Sequence, residues 1–340
     1  MAFIRGYRES DKEDCGFICR ETLPPSLSPA QASSRVQLLA PYVWTHQFTY
    51  LSPETCHVLD DGSGRAVGYC IGCPDVHALT RVYGRFVDDV LLREDEGVVV
   101  VVTSSRRPPD QDGEEEEERM AWVNGARVPW MVEVDDDAAA AAAAAADGEG
   151  RNKGAWTEDG KESKDEKQKK KTRMVTNPKA LEQLAFRPDL LLAHPTFSKP
   201  TLDQQQQHPP LPSYRATMHI DLLPGYQGQG WGRKLIDTFV ESVVRAASAA
   251  AAGSSHRQID EEEEEKEDSS ARGRRDNRPD YGSGIWIGVS PENRKVLPFY
   301  ARVGFRLVMN DDAEGVVLVR DIPPLPPSAA PAAAAVPAPV

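Results

Sequence analysis

Apolar and polar side chains alternate over residues 2–8, and this period of two predicts an opening β-strand. Ser10 or Asp11 stands where a helix N-cap is expected, so a helix is predicted to run from there towards Thr22. Prolines follow that segment and end it. A second helix is predicted over residues 30–40.

Two more strands are predicted at residues 55–59 and 66–72, on either side of a turn rich in Asp and Gly. Between residues 76 and 92 the apolar side chains return at helical spacing. The N-terminal part of the chain therefore has the mixed strand and helix content of an α/β domain.

Alternation resumes over residues 216–223 and predicts another strand. One face carries Met218, Ile220 and Leu222, and the other carries His219, Asp221 and Leu223. Residues 233–247 then place apolar side chains at helical spacing, and Gly253 is the predicted end of this helix.

Residues 284–289 read as a strand, and Ser290 followed by Pro291 marks the start of a helix. That helix is predicted to end at Gly304 and to bend locally at Pro298, which removes one backbone hydrogen bond. A pair of strands forming a hairpin is predicted after it.

Low-complexity sequence interrupts this pattern in two places, with charge runs and a stretch of nine consecutive alanines. Such sequence buries too little apolar surface to offset the entropy of ordering it. We expect one domain over residues 1–322, with disordered insertions at about 96–175 and 248–280. A disordered Pro/Ala tail is expected over 323–340.

The formal net charge of −13 comes almost wholly from two acidic runs, residues 114–118 and 260–268, which contribute twelve of those charges. The remaining chain is near neutral and carries no basic stripe, so no nucleic-acid partner is expected. A Lys-rich stretch at 164–173 is mixed with acids and leaves nuclear import open as an alternative.

Five cysteines at irregular spacing include the pair Cys70 and Cys73, with no second pair at zinc spacing. We interpret them as buried thiols of a reduced intracellular protein. The N-terminus lacks a signal-peptide core, and no apolar run reaches the ~18 residues of a membrane span. An intracellular, cytoplasmic protein with no membrane partner is expected, with a nuclear location as the alternative, and no pattern indicates the oligomeric state.

A glycine-rich turn separates the strand ending at Leu223 from the helix beginning at Arg233. Backbone N–H groups at a helix start lack partners and, with the helix dipole, favour an anion such as phosphate. A dinucleotide fingerprint would need Gly where Arg233 stands, and a P-loop would need Gly-Lys-Ser/Thr at its end. The spacing therefore excludes both of those nucleotide sites.

The turn from Gln227 to Gly232 reads Gln-x-x-Gly-x-Gly, and Asn293 to Phe305 reads Asn-x-x-Val-x-x-Phe-Tyr-x-x-x-Gly-Phe. Both segments resemble signatures of the GCN5-related N-acetyltransferase (GNAT) superfamily, with Val296 where Ala is usual. The segments His219-Ile220-Asp221 and Tyr226-Gln227-Gly228 also resemble the branch containing the acetyltransferase-like domain of O-GlcNAcase and its bacterial and fungal relatives.

This resemblance implies an α/β (α+β) GNAT fold, in which helices flank a central, twisted, mixed and mostly antiparallel sheet. It implies acetyl-CoA as co-substrate, no metal, and direct attack of a small-molecule or protein amine on the thioester in a ternary complex. The implied coenzyme contacts are Leu222, Leu223, Gln227, Gly228, Gln229, Gly230, Trp231, Gly232, Arg233 and Asn293. Among these, Leu222 and Leu223 would offer backbone groups to the pantetheine arm, and Gln227 and Arg233 would meet the phosphates.

By the same resemblance, Tyr300 is the acid that protonates the leaving thiolate. Asp221 is the candidate base, acting directly or through a water, and His219 on the same face is the second candidate. Each could instead be structural, Tyr300 as a core aromatic and the other two through local hydrogen bonds. The alternative function is therefore a non-catalytic acyl-CoA-binding or protein-interaction module with the same fold.

Overall fold

The computed structural model describes residues 1–28, 32–92, 123, 125–135, 172–192, 213–261, 280–311 and 315–323. Its strands are β1 (Phe3–Gly6), β2 (His57–Asp60), β3 (Ala66–Cys73), β4 (Met131–Asp135), β5 (Thr172–Thr176), β6 (Ala216–Leu222), β7 (Gly284–Val289), β8 (Arg306–Asp311) and β9 (Gly315–Asp321). Seven of these strands form a sheet in the order β1-β2-β3-β6-β7-β9-β8, while β4 and β5 pair separately. Every neighbouring pair in the large sheet is antiparallel except β6 and β7.

The helices are α1 (Lys12–Glu21), α2 (Ser34–Pro41), α3 (Gln47–Leu51), α4 (Val76–Val82), α5 (Gly84–Phe86), α6 (Pro178–Phe186), α7 (Pro188–Leu192), α8 (Trp231–Glu261) and α9 (Leu297–Arg302). A π-helical turn, Tyr42–His46, joins α2 to α3, and 3₁₀ turns cover Pro224–Tyr226 and Pro291–Val296. Helices α1 to α7 contribute to the core on one face of the sheet, and α8 packs on the other face. The fold class predicted from the sequence, a mixed and mostly antiparallel sheet flanked by helices, is confirmed.

Strand alternation assigns side chains to these two layers. On β3, Tyr69 and Ile71 belong to the core beneath α1, whereas Cys70 belongs to the core beneath α8. The α8 core contains a stripe of fully buried side chains at helical spacing, including Leu235, Ile236 and Phe239. Burying one side chain of this size contributes about 1.5–3 kcal/mol, so this stripe fixes the position at which α8 begins beside the end of β6.

Helix α8 is longer than the sequence pattern predicts. It passes Gly253 and continues to Glu261, so the predicted end at Gly253 is wrong. Six of the seven residues before Gly253 are alanine. Alanine has the highest helix propensity and one interior glycine costs only about 1 kcal/mol, which explains the continuation.

The segment after β7 starts as predicted, with the Ser290 hydroxyl accepting a hydrogen bond from the Glu292 N–H. It begins as a 3₁₀ turn and becomes α-helical only at Leu297, and Asn293 has the non-helical angles φ −105° and ψ 23°. Pro298 therefore lies in the first turn of α9, where a missing N–H costs nothing. The predicted loss of a backbone hydrogen bond at Pro298 is therefore wrong, and the non-helical break lies earlier, at Asn293.

Part of the insertion expected over residues 96–175 belongs to the described structure. Residues 125–135 lead into β4, which pairs with β5 in an antiparallel register. The rest of that insertion, residues 262–279 and the tail beyond 323 lie outside the described residues. The sequence pattern did not indicate that residues 125–135 and 172–175 of this insertion would pack against the domain.

Candidate active site

Strands β6 and β7 run side by side only where they begin. They are paired at Ala216 with Ile285 and at Thr217 with Trp286, and no further pairing continues along them. Beyond that point their residues line a shared cavity instead. The divergence opens a gap in the middle of the sheet, and it reaches both faces.

Backbone groups of β6 point into this gap. The Leu223 N–H donates to the Val67 C=O at 3.0 Å, so this residue faces β3. Antiparallel pairing alternates the direction of successive residues, which turns the N–H and C=O groups of Met218, Ile220 and Leu222 away from β3. An elongated ligand in the gap would find the backbone donors and acceptors of an unpaired strand edge.

Leu222 and Leu223, whose backbone groups are predicted to contact pantetheine, differ in how many of those groups already have hydrogen-bond partners. Both backbone groups of Leu223 are engaged, the N–H with Val67 and the C=O with the Tyr226 N–H at 2.9 Å. The Leu222 C=O accepts a hydrogen bond from Gln227 Nε2 at 2.7 Å. Its N–H remains directed at the gap, so Leu222 is better placed than Leu223 to bind a ligand there.

The predicted pyrophosphate turn follows directly after β6. Gly228 and Gly230 adopt φ of +71° and +82°, a region that favours glycine. Among the described residues, chain neighbours aside, no atom lies within 4 Å of the place where a Cβ would stand at either glycine, so this surface of the turn is open to them. The Gln229 side chain donates to the Gly225 C=O at 2.7 Å and braces the loop.

The open surface meets the N-terminus of α8. The first N–H groups of a helix have no intrahelical partner and carry the positive end of the helix dipole. A glycine turn with space above it, at such a helix start, matches what a phosphate group needs. The turn and the start of α8 are therefore a candidate anion site beside the end of β6.

Gly232 has a different role, in packing. A Cβ on this residue would lie 3.0 Å from Cζ of Phe299 in α9. Phe299 in turn contacts Tyr300, with ring centroids 5.3 Å apart. Glycine at position 232 thus lets α9 approach α8 closely, and it sets the position of Tyr300.

The charged and aromatic side chains at the start of α8 contact their neighbours. Arg233 Nη2 donates to the C=O of Arg302 at the end of α9. Lys234 Nζ lies 4.4 Å from the centroid of the Trp231 ring. In this conformation the Gln227 and Arg233 side chains, predicted to meet phosphates, both donate to backbone carbonyls.

Tyr300 is half-buried and borders the gap from the α8 side of the sheet. Its ring centroid lies 5.4 Å from that of Phe305. Burial is the main factor that raises its pKa above the usual range, and the negative charge of Asp221 adds to it. The phenol therefore keeps its proton at neutral pH, as a general acid must. Among the described residues, nothing accepts a hydrogen bond from its hydroxyl.

Asp221 and His219 lie on the opposite face of β6 and form a pair. His219 Nε2 is 2.9 Å from Asp221 Oδ2. The same carboxylate oxygen accepts a hydrogen bond from the Tyr69 hydroxyl at 2.7 Å. Tyr69 is fully buried, and its ring centroid lies 5.8 Å from that of His219. These three side chains form a network at the wall of the gap.

Sequence reasoning missed Tyr69. The residue lies on β3 directly opposite Asp221 in the β3–β6 register. Its place in the predicted strand 66–72 was a signal, but the pairing between strands distant in sequence was needed to connect it with Asp221.

The gap is a cavity of about 830 Å³, within the size range of small-molecule sites. Four predicted site residues line it: His219, Asp221, Asn293 and Tyr300. The glycine turn does not line this cavity but follows the β6 edge that does. The structure therefore brings the candidate acid and both candidate bases to one space.

Neighbouring thiols are not reactive in this setting. All five cysteines are buried free thiols, as predicted. Cys19 borders the cavity, and burial raises its pKa to about 12, so it carries almost no thiolate at neutral pH.

Among the described residues there is no His, Cys, Asp and Glu grouping that could hold a metal ion. No helix in the described ranges has the length and hydropathy to cross a bilayer.

Comparison with known proteins adds one structural likeness. No protein-family model and no curated protein sequence matches the chain. A crystal structure of a protein designated SsHAT is similar, with a TM-score of 0.47 and 19% sequence identity over 94% of this chain and 98% of that chain. The fold assignment above rests on the strand order and register.

Proposed function

We propose that this protein is an acetyltransferase of the GNAT superfamily that transfers the acetyl group of acetyl-CoA to a primary amine. The observation that carries the proposal is the junction of three features: diverging strands β6 and β7, an open glycine turn at the start of α8, and Tyr300 beside the same gap. The narrower kinship with the branch of the O-GlcNAcase acetyltransferase-like domain rests on residues 219–221 and 226–228 and is part of the proposal.

Binding of the donor follows from the backbone. The pyrophosphate would rest on the turn around Gly228 and Gly230 and on the first N–H groups of α8. The pantetheine arm would lie along the free edge of β6, where the Leu222 N–H is directed at the gap. Asn293 borders the cavity on the α8 side and is placed to bond the same arm.

The acceptor amine would approach from the face that carries Asp221 and His219. Asp221 Oδ2 already accepts from the Tyr69 hydroxyl and lies 2.9 Å from His219 Nε2, whereas no described residue donates to Oδ1. We assign Oδ1 to the incoming ammonium group. The Asp221–His219 pair would take its proton, directly or through a water, so that the nitrogen lone pair is free to attack.

In the chemical step, the amine nitrogen forms a bond to the thioester carbonyl carbon, and the carbon–sulfur bond breaks. The sulfur leaves with the bonding electrons as a thiolate, and the protonated Tyr300 hydroxyl supplies the proton that neutralises it. No covalent intermediate with the protein is needed, because both substrates are held together in the site.

The test has two parts. Calorimetry measures acetyl-CoA binding, and release of free thiol is then followed with a panel of primary amines. We expect binding and turnover with at least one amine. Gly230→Asp should abolish acetyl-CoA binding, because its side chain and charge would occupy the phosphate surface, and retained binding would refute the assigned donor site.

The same experiment distinguishes the alternative function. Tight acetyl-CoA binding without acetylation of any amine would refute the enzyme and support a non-catalytic acyl-CoA-binding or protein-interaction module. The free Tyr300 hydroxyl and the free oxygen of Asp221, both bordering one cavity, favour the enzyme.

A further inference from the structure

The acceptor side of the cavity has an apolar wall. Four half-buried side chains line it and also pack against the core beneath α1: Leu23, Trp44, Trp130 and Leu190. Half-burial means that each presents one surface to the cavity while the other is fixed by packing. Two of the four are tryptophans, which offer large flat surfaces at a small entropic cost.

The wall is held in place by hydrogen bonds. The Trp130 C=O accepts from the Asn177 N–H at 2.8 Å, and the neighbouring Pro129 C=O accepts from Asn177 Nδ2 at 3.0 Å. The Val128 N–H donates to the Gln183 side chain at 2.8 Å. On the other side, Trp44 lies in the π-helical turn between α2 and α3. The two tryptophans therefore stand on anchored backbone.

Two polar groups on this wall are bonded to protein partners. The Thr22 hydroxyl donates to the Ile18 C=O at 2.7 Å, and the Ser26 N–H donates to Glu292 Oε2 at 3.0 Å. A hydroxyl group of the acceptor would find neither of these two groups available, and leaving it unpaired would cost binding free energy. The carboxylate of Asp221, beside His219, borders the same cavity and supplies a negative charge there.

We infer that the acceptor is a primary amine on an aromatic or bulky apolar body, whose ammonium group binds Asp221 while the body packs against Trp44 and Trp130. This inference rests on the proposed acetyl transfer. It names the substrate class that the acceptor half of the cavity selects, an arylalkylamine rather than an amino sugar or a peptide lysine.

The first experiment compares acceptors with the full chain. Thiol release is measured with phenethylamine, methylamine, glucosamine and a short lysine peptide at saturating acetyl-CoA. We expect kcat/KM for phenethylamine to exceed that for glucosamine and for the peptide by about 10-fold or more, the discrimination typical of an apolar pocket.

The second experiment removes one tryptophan, Trp130, from the apolar wall. Trp130→Ala should raise KM for phenethylamine by ~10-fold with little change in kcat, because the contact acts in the ground state and the transition state alike. Acetyl-CoA affinity and the rate with methylamine, which has no body to bind, should stay the same. Trp130→Phe should restore most of the phenethylamine KM. Phe17→Ala removes an exposed aromatic of α1 that does not line the cavity, and it should change none of these values.

The outcomes separate the two proposals. Acetylation of glucosamine or the peptide in preference to phenethylamine would overturn this inference and leave the acetyltransferase standing. A Trp130→Ala variant that is folded but has an unchanged KM for phenethylamine would also overturn it. Acetyl-CoA binding with no acetylation of any amine would overturn the proposed function, and the substrate class with it.

Discussion

The hydroxyl of Tyr69 donates a 2.7 Å hydrogen bond to the carboxylate of Asp221 across two neighbouring strands, although the residues are 152 positions apart in the chain. Tyr69 is fully buried, so this bond fixes the carboxylate from inside the protein. His219 binds the same oxygen from the cavity side. The Asp221 carboxylate is thus held by the Tyr69 hydroxyl and by its close contact with His219, at the border of the cavity.

Tyr69→Phe should therefore reduce turnover more than it reduces stability. Losing one buried hydrogen bond costs about 1 kcal/mol of unfolding free energy, but it also frees the Asp221 carboxylate to rotate. We expect kcat to fall by ~10-fold while acetyl-CoA affinity is unchanged, measured by thiol release and calorimetry. The matched control is Tyr83→Phe, whose buried hydroxyl donates to the Ala185 C=O at 2.8 Å far from the cavity. Tyr83→Phe should lose a similar amount of unfolding free energy and keep full activity. Equal losses of kcat in the two variants would contradict the role of Tyr69 in positioning Asp221.

Tyr300→Phe should reduce kcat by ~10²-fold, the usual contribution of a positioned general acid. The ring contacts with Phe299 and Phe305 survive the change, so acetyl-CoA affinity should not move. Since burial raises the pKa of Tyr300, the wild-type kcat should show no loss through pH 9, where this phenol remains protonated. Tyr50→Phe, which removes a hydroxyl bonded to Asp89, serves as the control. An unchanged kcat in Tyr300→Phe would remove this residue from the mechanism.

Much of the framework of this site could be predicted because it is local in sequence. The strand 216–222, the glycine turn and the start of α8 follow each other directly, so periodicity and glycine spacing reveal them together. The Ser290 N-cap and the strand 284–289 are equally local. These patterns predict the order of the elements and the position of the candidate anion site.

The acceptor half could not be predicted in the same way. Tyr69 becomes a partner of Asp221 only through the β3–β6 register, and Trp130 reaches the cavity from within the insertion predicted over residues 96–175. Local propensity does not determine contacts between such distant segments. The side chains of Gln227 and Arg233 illustrate a further limit, because both donate to backbone carbonyls whose position depends on tertiary packing.

Gly232→Ala should act through packing rather than through the phosphate surface. The new Cβ would lie 3.0 Å from Cζ of Phe299, tighter than ordinary contacts, so the Phe299 ring at the α8–α9 contact would have to shift. We expect a loss of about 1–3 kcal/mol in unfolding free energy, measured by urea denaturation, together with a lower kcat as Tyr300 moves. Gly225→Ala is the matched control in the same loop, because nothing lies within 4 Å of its Cβ position and its φ is not positive. If the two alanine variants were equally stable, the packing role of Gly232 would be wrong.

The buried thiols should make the protein less stable in alkaline solution. Burial raises the pKa of Cys56 to about 12 from an ordinary value of 9.0, and that of Cys19 to about 12 as well. Above pH 9 the unfolded chain releases these protons while the folded chain retains them. The contribution of these protonated thiols to the free energy of unfolding is therefore complete below pH 9 and is lost as the pH rises towards 12. The free energy of unfolding falls by up to ~1.4 kcal/mol per pH unit for each thiol.

Urea unfolding under reducing conditions, at intervals from about pH 8 to about pH 11, measures this slope as the change in unfolding free energy. Cys56→Ala removes one of the titrating groups, so its stability should fall less steeply above pH 9 than that of the wild type, even though its stability at neutral pH is lower. A variant such as Ser248→Ala, on the exposed surface of α8, should leave the slope unchanged. Parallel curves for the wild type and Cys56→Ala would show that the Cys56 proton is not held by the folded state, and hence that this thiol is less well shielded from water than its complete burial indicates.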